Sequence, residues 1–366
     1  MKLKLAFFIL AILIGVNCIG LEKSFELSAE NLTIPAIPAY EPRNLESKPA
    51  STSRIAPGYR ISIQAKSPSF YKDSIGVVKL WVENNGDNSI FIYKYGVKPS
   101  WLDADWYAVN SGITIQPGER KYLGLVSFKV EAQNSFHLKP GVSLLARAKD
   151  GKWYDYGDVF MDPISYTVNL PISKQEYEYK YNFPALFKKI NDYITPSDPS
   201  VRALAREVAE KYPGKYNIYQ VCAIFDLISN SIAYTSEPEG EERWQFPNET
   251  LRIKRGDCED HAFLLASLIC ALGGNARVYA TDNHVFASVY IGQANDTSKI
   301  IEAINRYYAT RLAVYYQTDK YGSWLVLEPS GGFYAGSLPV GGRPTLDEGW
   351  TLSNTTTLYA FDAVPD

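Results

Sequence analysis

Near Pro171 the periodicity of the chain changes, and that change limits the folds open to it. Between Tyr59 and Ile172 apolar and polar residues alternate in short runs bounded by turn residues. Val78, Leu80 and Val82 alternate with Lys79, Trp81 and Glu83 before Asn84-Asn85-Gly86-Asp87 turns the chain into Ile90–Tyr93. Pro117-Gly118 separates Ile113–Ile115 from Tyr122–Val130, and Lys149–Lys152 separates Ser143–Arg147 from Trp153–Phe160. About seven strands at this spacing predict an antiparallel β-sandwich over residues 58–171.

Beyond Pro171 the apolar residues take helical spacing. Ser197-Asp198-Pro199 reads as a helix start leading into Val201–Lys211, and Ile218, Val221, Phe225, Ile228 and Ile232 form one buried stripe. A further helix starts at Asp257 and runs through Leu264, Leu265, Leu268 and Ile269 to a stop at Gly273-Gly274. Strands are expected over Ala276–Ala280, His284–Ile291 and Trp324–Glu328, with a weaker helical pattern from Ile301 to Tyr316. With 366 residues and 46% hydrophobic composition the chain can fill two cores. The expected class is α+β: the sandwich, which looks like an Ig-like module of cell-surface proteins, and then an α+β domain over 172–366.

Two segments precede the sandwich. Lys2 and Lys4 lead an apolar stretch from Leu5 to Val16, the layout of a secretory signal over residues 1–21. It continues through Cys18, Ile19 and Leu21, long enough to serve as an uncleaved membrane anchor. Asn17 is not the small residue that a lipidation signal carries before its cysteine, so Cys18 is not read as a lipid site. Residues 22–57, rich in Pro, Ser and Ala, are expected to be an extended spacer. The expected location is therefore outside the cell or at its surface. The sequons at Asn31, Asn248, Asn295 and Asn354 are compatible with that. A net charge of −3 gives no electrostatic reason to expect a nucleic-acid partner.

Chemistry is concentrated in the second part. Cys258 opens a helix amid charged residues, whereas Cys222 and Cys270 sit in apolar helical patterns as core thiols. Asp257 can cap that helix, and its backbone N–H groups favour a thiolate and can donate to an oxyanion. The charges of Asp257, Glu259 and Asp260 oppose the thiolate, so a cationic partner is needed. His284 begins one expected strand and Glu328 ends another. If these strands are antiparallel neighbours, the ends meet and Glu328 can hold the imidazole by its second nitrogen. His261 is the rival base, but it lies one turn along the same helix as the thiol, badly placed to share a substrate with it. A metal site of Cys258, His261, His284 and a carboxylate lacks any Cys-x-x-Cys or His-x-x-x-His spacing, and neither metal nor cofactor is expected. His137, within the sandwich, reads as a surface or structural histidine.

Phe246-Pro247-x-x-Thr250-Leu251, followed by Lys254-Arg255-Gly256-Asp257-Cys258-Glu259-Asp260-His261-Ala262, resembles the transglutaminase-like superfamily, especially its microbial branch of proposed cysteine proteases. His284-Val-Phe-Ala-Ser-Val and Trp324-Leu-Val-Leu-Glu328-Pro329-Ser330 look like its second and third blocks. The resemblance covers roughly Ile218 to Ser330 and implies a papain-like catalytic fold. It makes Cys258 the nucleophile, His284 the general base and acid, and Glu328 the orienting carboxylate, where the family usually has Asp. The activity implied is thiol-dependent acyl transfer on amide bonds of a protein or peptide. Peptide hydrolysis is the default, because nothing marks a second, amine-binding site; deamidation and transamidation share the first half-reaction. The competing class is a non-catalytic surface-binding or scaffold protein that keeps the fold. The long interval between His284 and Glu328 marks Ile301–Tyr316 as an expected lid or rim.

Overall fold

The computed structural model describes residues 27–39, 44–53, 57–237, 243–347, 349–353 and 355–364. The expected export segment, Cys18 and the sequon at Asn354 lie outside the described residues. Two compact units are present: residues 40–171 with 308–313, and residues 1–39 with 172–307 and 314–366.

The first unit is a β-sandwich. A seven-stranded sheet contains Ile90–Pro99, Tyr107–Ile115, Ser135–Arg147 and Trp153–Phe160, and a three-stranded sheet contains Ile61–Lys66, Ile75–Asn84 and Arg120–Lys129. Val78, Leu80 and Val82 meet Ile90, Ile92, Val142 and Leu144 in one core, so the alternation read in the sequence is the alternation that fills it. The ladders are not purely antiparallel: Ser51–Thr52 pairs parallel with Trp153–Tyr154, and Phe70–Tyr71 with Val168–Asn169. His137 is exposed, its Nδ1 3.0 Å from the Ser165 hydroxyl.

The stretch expected as a spacer is partly folded. Lys48 pairs with Asp155 at 2.8 Å in the sandwich, and Ala36 bridges to Asn217 in the second unit. Such attachment runs through backbone groups and single charges, which leave no apolar period to read.

The second unit is built on a six-stranded sheet ordered Glu178–Tyr181, Thr357–Asp362, Ala276–Ala280, Val285–Tyr290, Gly322–Leu327 and Tyr316–Asp319. Its helices begin where the sequence offers caps. Asp198 accepts from the N–H groups of Ser200 and Val201 with Pro199 behind it, and Asn217 with Gln220 and Asp257 with Asp260 form reciprocal capping boxes. The helix Cys258–Ala271 packs on Ala276–Ala280 and Val285–Tyr290 and is buried from Glu259 to Ile269. The three central strands are also buried at every position. Both faces of a central strand are covered here, so each face meets protein instead of water. The expected helix over 301–316 starts earlier, as Ala294–Tyr308. Tyr307 on it donates to Asp226 at 3.1 Å, so this helix is packed into the body of the unit. Among the described residues no helix is long and apolar enough to cross a membrane.

Candidate active site

The helix bearing Cys258 starts under tight steric control. A Cβ on Gly256 would stand 2.6 Å from the Asp260 Cβ, so only glycine lets Asp260 fold back over the turn. There Asp260 accepts from the backbone N–H of Asp257 at 3.3 Å and from that of Gln245 at 2.8 Å. The Gln245 side-chain amide also donates to Asp260, at 2.6 Å. The backbone N–H and the side-chain amide of Gln245 are therefore both engaged at the helix start. Cys258 itself is half-buried. Its Sγ donates to Glu259 Oε2 at 2.8 Å and accepts from the backbone N–H of Val285, the residue after His284.

His284 and Glu328 meet as the strand ends predict. Val285–Tyr290 and Gly322–Leu327 are antiparallel neighbours in the register Ala287–Leu327, Ser288–Val326, Val289–Leu325 and Tyr290–Trp324. Continued outward, that register sets Glu328 opposite Phe286 and diagonal to His284 on one face. A diagonal span favours the longer side chain, and the Glu328 carboxylate takes a hydrogen bond from His284 Nε2 through Oε2. Its other oxygen accepts from the Ser330 backbone N–H at 2.9 Å and from the Ser330 hydroxyl. Gly332 closes the turn by donating to the Glu328 carbonyl at 2.7 Å; a Cβ there would lie 2.2 Å from that oxygen. Burial would raise the Glu328 carboxyl, but the charge of His284 and the hydrogen bonds from His284 and Ser330 outweigh it and hold the group below the usual carboxylate range. Ser330 and Gly332 were not singled out as site residues, although Ser330 lies within the third sequence block.

Cys258 meets the head of the His284 strand through the Val285 N–H, and among the described residues no hydrogen bond joins its sulfur to the imidazole. Burial, then the charges of Glu259 and Asp257, push the Cys258 thiol well above its ordinary range, and the Val285 N–H opposes that. The Tyr234 phenol is raised by burial and then by the charge of Cys258. Short strands pair Tyr234 with Gly256, and this contact spans too much sequence to be read from spacing. His261 is buried away from this chemistry. Its Nδ1 lies 2.5 Å from the Asp257 carbonyl and its Nε2 3.4 Å from the Ile232 carbonyl. Both ring nitrogens are thus turned to backbone carbonyls. Cys222 and Cys270 are not disulfide-bonded, and burial pushes the Cys270 thiol up to about 12.

The acidic helix start has a consequence for stability. Burial, then the charge of Asp257, push Glu259 up to about 8 and Asp260 up to about 7. Between about pH 4 and about 8 the folded protein therefore binds more protons at these residues than the unfolded chain does. Their contribution is fully present below about pH 4 and is lost as pH rises through the folded values. The expected result is a melting temperature that falls from pH 6 to pH 9, with a flatter decline in Glu259→Gln; equal slopes in the two proteins would refute the assignment.

A family model described as the transglutaminase-like superfamily matches residues 202–329. Among solved structures the chain is similar to a Cytophaga hutchinsonii protein proposed as a cysteine protease, with 14% identity, 74% of this chain and 78% of that one covered, and a TM-score of 0.26. It is also similar to the CARDB domain of a Pyrococcus furiosus protein solved with di-metal ions, with 11% identity, coverage of 32% and 95%, and a TM-score of 0.21. At such scores these likenesses carry nothing about chemistry. No curated protein matches. Cys258, His284 and Glu328 all fall inside the stretch, residues 202–329, that matches the transglutaminase-like superfamily.

Proposed function

We propose that this protein is a thiol-dependent acyl-transfer enzyme acting on amide bonds at the cell surface, with peptide hydrolysis as its main reaction. The observation that carries this reading is the hydrogen bond between His284 Nε2 and the buried Glu328 carboxylate, beside a thiol that takes the N–H of the next residue, Val285. Glu328 fixes the ring so that Nδ1 is left for the sulfur. His284 takes the Cys258 proton as sulfur attacks the amide carbonyl, and the tetrahedral oxygen finds donors at the start of the helix. The imidazolium returns the proton to the leaving amine. Water then attacks the acyl-enzyme with the same ring as base, releasing the acid and restoring the thiol. Export rests on the basic start and apolar run of residues 1–21.

One observation favours the second reading, a binding or scaffold protein without turnover: the thiol is hydrogen-bonded to Glu259 and not to His284. A thiol-reactive peptide electrophile separates the two. If the enzyme reading holds, Cys258 is modified while buried Cys222 and the raised Cys270 stay intact, with modification mapped by mass spectrometry of the digested protein. Modification of all three at similar rates, or of none, would favour the scaffold.

A further inference from the structure

We propose that Glu259 is a restraint on the nucleophile: once ionised, its carboxylate takes the Cys258 S–H hydrogen bond, keeps the proton on sulfur in the substrate-free protein, and competes with His284 for it. Glu259 has no other part in the chemistry derived above. It is 5% exposed, which is costly for a carboxyl group unless a contact requires it. Its Oε2 lies 2.8 Å from Sγ, inside the distance of a good hydrogen bond to sulfur, and the two residues are adjacent on the first turn of one helix. The groups facing this pair are Asp257 on the same turn, Tyr234 on the strand paired with Arg255–Gly256, and His284 with the Val285 N–H at the head of the next strand. Of these only His284, when protonated, and the N–H favour a thiolate. Asp257 and Glu259 oppose it, and Glu259 alone also bonds the neutral S–H.

The consequence is a sequence of ionisations. The carboxyl and the thiol are close enough that losing one proton makes losing the next harder. Glu259, pushed up to about 8, gives up its proton first and then holds the thiol in its neutral form. In the resting protein the thiolate therefore accumulates late, at a pH well above that of the carboxyl. For turnover, substrate has to loosen the Cys258–Glu259 bond so that the proton passes from sulfur to His284 Nδ1. No other group gains or loses charge in that step.

This inference rests on Cys258 being the nucleophile, but its test reads the thiol alone. The rate of iodoacetamide alkylation at Cys258 is followed from pH 6 to 11 in the full chain, site-resolved by mass spectrometry, for the native protein, Glu259→Gln and Glu259→Asp. Glu259→Gln should converge with the native protein near pH 6 and separate from it above about pH 8, its midpoint at least about one unit lower. One unit raises the thiolate fraction about tenfold, and the weaker nucleophilicity of a less basic thiolate takes back about threefold, so a gain of about threefold near pH 9 is expected. Glu259→Asp keeps the charge and shortens the reach, so its midpoint should fall between the other two. Superimposed profiles for the native protein and Glu259→Gln, or a midpoint that rises, would overturn the proposal. Should Glu259→Gln fail to fold, Glu259→Asp decides by the same criterion. A shifted profile without any amide turnover would sink the enzyme reading and leave this one standing; turnover with an unshifted profile would do the reverse.

Discussion

Cys258→Ala is expected to abolish electrophile labelling and amide turnover while leaving the melting temperature within about 2 °C, because a half-buried residue at a helix start contributes little packing. His284→Ala should lower kcat/KM by about 10³–10⁴-fold, the usual scale for losing a member of a cooperating nucleophile–base unit. Glu328→Gln should cost less than His284→Ala, since glutamine keeps a polar contact to Nε2 but lacks the charge that favours the imidazolium. Ser330 donates to Glu328 through both its backbone and its hydroxyl, so Ser330→Ala loosens the carboxylate without removing it and should fall nearest the native rate. His261→Ala should leave the titration of the thiol unchanged, its ring being spent on the carbonyls of Asp257 and Ile232. If His261→Ala shifts Cys258 and His284→Ala does not, the assignment of the base is wrong.

The largest effect on stability is expected far from the thiol in sequence, at Asp362. This carboxylate is fully buried. It accepts from Arg277 Nε at 2.9 Å, from the Asn182 amide at 2.9 Å and from the Tyr181 hydroxyl. Arg277 is fully buried as well; it pairs with Asp319 at 2.8 Å and lies 3.7 Å over the Trp324 ring. Asp362→Ala leaves the buried guanidinium, which cannot shed its proton, with Asp319 as its carboxylate partner and nothing at Nε, and removes the acceptor for the buried Asn182 amide and the half-buried Tyr181 hydroxyl. A loss of about 3–5 kcal/mol is expected, lowering the melting transition of the unit by about 10 °C. The paired change Arg277→Met with Asp362→Leu should cost far less than either single change, because it removes both charges and not one. A melting temperature for Asp362→Ala within about 2 °C of native would refute this role.

Much of this molecule was legible before any fold was known. Val78, Leu80 and Val82 fixed a strand face by period two, and Asp198-Pro199 and Asp257 fixed helix starts by local hydrogen bonding. Both are nearest-neighbour properties of the chain. His284 at the head of one strand and Glu328 at the end of another could be paired on paper, because antiparallel neighbours bring opposite ends together. Beyond that reach, pattern gave little. Arg277 in Ala-Arg-Val-Tyr-Ala and Asp362 in Tyr-Ala-Phe-Asp stand out as charges in apolar strands, yet nothing local tells one to seek the other across 85 residues. Nor does spacing show that every position of Val285–Tyr290 is buried, since a second covering layer leaves no periodic mark. The sequence by itself determined the element types, their caps and the order of thiol, imidazole and carboxylate. Only the tertiary structure decided that Glu328 reaches His284 on the diagonal, that His261 is occupied by carbonyls, and that the thiol rests on Glu259. Those outcomes depend on distances between segments remote in the chain, or on which of several adjacent charges a fold buries, and hydrogen bonding and desolvation act on those distances rather than on spacing along the chain.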